Sequence, residues 1–101
     1  SVRVNLRDIL YIEAQKHYVN LHLEKVEPMT VKAVFAELLQ EIQEKSDTFL
    51  ATHRSYAVNI DKVVRIGRTE CILSDGSSIP VSRSFYKAVN EAFIKYHLGR
   101  K

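Results

Sequence analysis

Two planar hydrogen-bonding side chains, His53 and Arg54, interrupt the largely apolar run Phe49-Leu50-Ala51-Thr52-His53-Arg54-Ser55-Tyr56-Ala57-Val58-Asn59. Flanking apolar residues can hold such side chains still, so the segment reads as a recognition loop. A guanidinium is a rigid fork of donors that fits a guanine edge or a phosphate, and His53, Ser55 and Tyr56 add donors of similar reach. These residue types point to nucleic acid as the partner. The plainer reading of Arg54 is a solvated loop arginine, or one paired with Asp61 or Asp47, since surface ion pairs are common and weak.

Other residues invite chemistry with less support. Arg83 is expected in the first turn of a helix, where the macrodipole disfavours a cation. An anion held by Arg83 and the free amides of that turn would offset the cost, and phosphate is the obvious candidate. His17 opens a strand, where it would read a base or simply bond a nearby carbonyl. His22 falls on the polar side of its strand and His97 near a helix end that welcomes a cation, so neither makes a functional case. Cys71 lies in an apolar strand and reads as an inert buried thiol rather than a nucleophile. Asp8, Glu13 and Asp75 are single carboxylates near turns, suited to capping backbone amides. The histidines and the cysteine lack the close pairs of zinc sites, and no metal or other cofactor is expected.

The elements that must carry these residues follow from periodicity. Val2, Val4 and Leu6 alternate with polar neighbours, and Ile9 to Ala14 is dense in β-branched and aromatic residues, so two strands are expected there. Val19, Leu21 and Leu23 alternate strictly, placing a hairpin turn across Gln15 to His17 and a short strand at Pro28 to Val31. From Ala33 to Lys45 the period becomes helical: Val34, Phe35, Leu38, Leu39 and Ile42 share one face, Glu37, Glu41 and Glu44 another. That acidic face would repel a duplex, so this helix is expected to pack on the sheet rather than read DNA. Short strands follow at Val63 to Ile66, Cys71 to Leu73 and, after an Asp75-Gly76 turn, Ser78 to Val81. Ser82 offers a side-chain cap to a last helix with the stripe Phe85, Val89, Ala92, Phe93 and Tyr96, and Gly99 a stop. The sum is a β-dominated α+β domain.

With 101 residues, 46% of them hydrophobic, the chain suits one compact domain spanning residues 1–101 with its own core. A net charge of +3 is weak evidence for a polyanionic partner, but its distribution is uneven. Six basic face eight acidic side chains up to Asp47, and nine face four from Thr48 onward. The positive field therefore belongs to the second half. A single cysteine fits a reducing compartment, cytoplasm by default, and no run is long and apolar enough to be a membrane span. The chain starts on patterned sequence without Met and reads as a piece cut from a longer protein.

The order of these pieces resembles the LytTR family of bacterial DNA-binding domains. The resemblance rests on Asp8-Ile9-Leu10-Tyr11-Ile12-Glu13-Ala14, Tyr18-Val19, the Leu38-Leu39 helix, Phe49 through Asn59, the Gly76 turn, Ile79, Val81 and Ser82-Arg83, with His53-Arg54-Ser55-Tyr56 and Val58-Asn59 the most specific part. It implies an elongated stack of small antiparallel β-sheets, with one central helix and a C-terminal helix, whose loops enter successive major grooves. No recognition helix would be used. It also implies the output domain of a two-component response regulator that binds direct repeats in promoters, monomeric alone and dimeric on DNA. The resemblance puts Arg54 at the family position in this loop that touches bases, Arg83 at the family's third contact and the Lys16-His17 turn at its first. Arginine stands where some relatives carry asparagine, implying a different base preference at Arg54.

The expectation is sequence-specific binding of double-stranded promoter DNA for transcriptional regulation, not catalysis. Arg54 and Arg83 are the principal contacts, with the Lys16-His17 turn as a third. Ser55, Tyr56, Ser84 and Lys87 are candidate phosphate contacts that set register and affinity, and His53 braces the loop. The alternative is a protein-protein interaction module pairing through exposed strand edges. A small nuclease using His53 would need a carboxylate cluster that the sequence does not display.

Overall fold

The computed structural model describes residues 3–99. Eight strands and two helices follow in the order β1 (Ile9–Gln15), β2 (Tyr18–Leu23), β3 (Met29–Lys32), α1 (Phe35–Lys45), β4 (Phe49–His53), β5 (Tyr56–Asn59), β6 (Val63–Ile66), β7 (Glu70–Leu73), β8 (Ser78–Pro80) and α2 (Arg83–Leu98). They form an antiparallel five-stranded sheet ordered β3-β2-β1-β5-β4 and an antiparallel three-stranded sheet ordered β6-β7-β8. The principal extents are 37 × 29 × 26 Å.

Alternation along each strand decides which core it feeds. Ile12, Val19, Leu21 and Ala57 pack with Leu39 and Ile42 of α1 on one face of the larger sheet. On the other face Leu10 and Val58 join Val63, Cys71, Leu73 and Ile79 of the smaller sheet, with Tyr86, Phe93 and Tyr96 of α2 against them. Ala57 and Val58 are adjacent and fully buried, each in a different core, so β5 is covered on both sides. β1 likewise serves both cores, because a break in register between Ile9 and Tyr11 turns Leu10 toward the second. Asn59 ties the layers: its Nδ2 donates to the Ile9 carbonyl and its Oδ1 accepts from the Asp61 amide.

Several expectations are corrected. Val2 lies outside the described residues, and Val4 to Leu6 is not a strand. Leu6–Asp8 is a 3-10 turn in which the Asn5 side chain accepts from the Arg7 amide, a local bond that competes with extended pairing. Val4 and Leu6 contribute packing to the first core instead. The run from Phe49 to Asn59 is not an open loop but the β4–β5 hairpin with only Arg54 and Ser55 at its turn. Helix α1 starts at Phe35: Val34 is its extended N-cap and is 59% exposed, off the apolar face assigned to it. Ser82 occupies the N-cap of α2 but makes no side-chain cap bond. Asp75 does cap, accepting from the Ser77 amide and hydroxyl, whereas Glu13 bonds side chains and Asp8 accepts through its backbone carbonyl.

Candidate nucleic-acid interface

Strand register gathers the three anticipated segments at one end of the molecule. β1 rises to Gln15 and turns at Lys16-His17, pairing Gln15 with Tyr18. β5 starts at Tyr56 beside Glu13, and the Ala14 amide donates to the Ser55 carbonyl at 2.8 Å, so the Arg54-Ser55 turn lies next to the first. The two hairpin axes are two strand spacings apart, about 10 Å. Beyond β4, the Ser82 amide donates to the Thr52 carbonyl at 2.9 Å, which docks the start of α2 beside the same turn. The row runs from Lys16-His17 through Arg54-Ser55 to Arg83.

Lys16, His17, Arg54, Arg83, Ser84 and Lys87 are all exposed. Neither Arg54 nor Arg83 enters an ion pair among the described residues, and the suggested pairing of Arg54 with Asp61 or Asp47 is not formed. Arg83 and Lys87 are four apart on α2 and so share a helix face.

The β4–β5 turn is stiffened from beneath. His53 Nδ1 accepts from the Ser55 amide at 3.0 Å, which puts the ring hydrogen of a neutral imidazole on Nε2. Its ring meets Tyr56 edge-on at 5.5 Å. The Tyr56 hydroxyl donates to Glu13 Oε2 at 3.2 Å, while His22 Nε2 bonds Glu13 Oε1 at 3.0 Å and stacks on Tyr11 at 4.1 Å. Burial raises the Tyr11 and Tyr56 hydroxyls above their ordinary range, and the Glu13 charge adds to both. Tyr56 is thus engaged below the turn. The one carboxylate beneath it, Glu13, is already matched by two donors.

Sequence reasoning passed over Arg68. The Thr69 carbonyl accepts from the Val81 amide, so the β6–β7 turn adjoins the start of α2, and the exposed Arg68 guanidinium lies 5.2 Å over the Tyr86 ring. Its signal was a cation in the short Gly67-Arg68-Thr69 connection; its proximity to Arg83 depends on how the two sheets meet. Cys71 is fully buried with its thiol pushed up to about 11 by burial, then by Glu70. His97 Nε2 sits 3.1 Å from the Ile60 carbonyl, a structural bond. Among the described residues no three His, Cys, Asp or Glu side chains are grouped to hold a metal, and no helix is long and apolar enough to cross a membrane.

Comparisons with known proteins bear on the family and the fold. The model of a family described as the LytTr DNA-binding domain matches residues 1–94. The transcriptional regulatory protein BtsR of Escherichia coli K12 is 29% identical over 96 residues, covering 88% of this chain and 37% of the relative; BtsR of Shigella flexneri gives the same figures. The chain therefore spans well under half the length of those relatives. A solved LytTr DNA-binding domain from Bacillus cereus superposes with a TM-score of 0.72 at 25% identity, covering 98% of this chain and 88% of that one.

Proposed function

This chain belongs to the LytTr DNA-binding domain family, and on that premise we propose that it binds double-stranded promoter DNA sequence-specifically as the output domain of a longer, cytoplasmic two-component response regulator. The Lys16-His17 and Arg54-Ser55 turns and the start of α2 enter successive major grooves. Arg54 selects bases, and Arg83, Ser55, Ser84 and Lys87 hold phosphates. Tyr56 and His53 act mainly by holding the Arg54 turn. On direct repeats two copies bind side by side, monomeric off DNA and dimeric on it, with phosphorylation of an attached receiver favouring the pair.

One observation carries this reading: exposed guanidinium groups, without an ion pair among the described residues, in separate connections that hydrogen bonds hold at one end of the sheet. The backbone of the two-residue turn is already braced by His53, so presenting Arg54 to a partner costs little backbone ordering. Selection of bound duplexes from a random pool tests it. Recovery of two similarly oriented, spaced half-sites is the expected result; an unenriched pool at moderate salt would defeat it.

A further inference from the structure

The end of the sheet that carries the two turns holds one more cation, Lys32. β3 runs antiparallel to β2, and Lys32, its last residue, pairs with Tyr18 directly after the Lys16-His17 turn. The next amide, Ala33, donates to the His17 carbonyl at 3.2 Å, fastening the end of β3 to that turn. Lys16, His17 and Lys32 line one surface hollow of about 400 Å³ together with Glu37. Lys32 is exposed and makes no ion pair among the described residues, Glu37 included.

We infer that Lys32 is a DNA phosphate contact, extending the bound face past the Lys16-His17 turn to the outer edge of the sheet. The inference rests on the DNA-binding reading above and adds a residue and a direction to it. Across β3-β2-β1-β5-β4 the face spans four strand spacings, about 19 Å, before α2 is reached. A duplex lying along that end and read by Arg54 at the β4–β5 turn continues over Lys16 toward β3. A flexible ammonium at that flank neutralises a phosphate without reading a base. The contact therefore adds affinity and salt dependence but no sequence preference, and it requires duplex on the β3 side of the bases that Arg54 reads.

The test uses the whole chain and a duplex recovered by the selection above, titrated over a series of salt concentrations. Lys32→Gln is compared with Lys25→Gln, an equal charge change just past the other end of β2, and with Lys32→Arg. The expected result is a salt slope lowered by roughly 0.9 in Lys32→Gln alone, restored in Lys32→Arg, with unchanged base preference and unchanged melting. An unaltered slope in Lys32→Gln, or an equal fall in Lys25→Gln, would overturn the inference and reduce Lys32 to part of a general field. Failure of the unsubstituted chain to bind any duplex is a separate outcome, which removes the DNA reading itself.

Discussion

At the scale of single residues, Arg54 is where chemistry and fold meet most directly. A bidentate contact to guanine is worth about 1–3 kcal/mol of discrimination. Arg54→Ala should therefore weaken specific binding by that amount and relax preference at one base pair, read by competition against single-position variants of the duplex. Arg83→Gln should lower the salt slope by roughly 0.9, as loss of a phosphate contact does, and an unchanged slope would count against that contact. Cys71 makes a prediction about stability instead. Burial, then the Glu70 charge, lifts its thiol from an ordinary 9.0 to about 11, so the fold favours the neutral form. That contribution is intact below about pH 9 and is lost as pH rises through about 11, and the raised Tyr11 and Tyr56 act in the same sense. Melting temperature should fall more steeply above pH 9 in the parent than in Cys71→Ala; parallel curves would show that the thiol contributes nothing.

At the scale of elements, the first hairpin holds a trade between stability and binding. Lys16 occupies a left-handed conformation with φ 53°, which costs a side-chain-bearing residue about 1 kcal/mol and glycine little. Lys16→Gly should raise the melting temperature slightly while lowering affinity for DNA, which thermal melts and titrations on one sample would separate. A variant that loses both would mean that the turn needs the lysine side chain for its shape. β4 offers the converse case. Thr52 is fully buried and its hydroxyl finds no protein partner among the described residues, though its carbonyl anchors Ser82. Thr52→Val keeps the shape and removes an unsatisfied group, so a gain of about 1 kcal/mol in unfolding free energy is expected in denaturant titration. A loss would show that the hydroxyl is satisfied by solvent.

At the scale of the whole molecule, charge and shape are arranged in opposition. The acidic face of α1, Glu37, Glu41 and Glu44, is exposed where the helix covers the first core, and of these only Glu37 also lines the hollow of Lys16, His17 and Lys32. The basic turns sit at the sheet end, so a polyanion is attracted to one part of the surface and repelled from another. Binding that uses about six phosphates should weaken by roughly a thousandfold between 50 and 200 mM salt. A module that pairs through the open edge of β3 would scarcely respond, and a flat titration across that range would favour it. The edge is four residues long and ends in Lys32, features that discourage strand addition.

What the sequence determined by itself was whatever depends on neighbours within a few residues. Strict alternation specified β2, the change to a helical period specified α1 and α2, and the short polar breaks specified the turns at Lys16-His17 and Asp75-Gly76, because backbone conformation and the buried face of one element are local properties. The exposure of Arg54 between two apolar segments was legible for the same reason, since a charged side chain there has no local place to be buried. Tertiary structure decided the rest. That β1 pairs with β5 across more than forty positions, that Leu10 turns to the second core, that Val34 is left outside, and that Lys32 and Arg68 lie beside residues distant in the chain all depend on pairings between segments with no local signature. Register across such distances is set by how two cores fill together, a property of the assembled chain and not of any stretch within it.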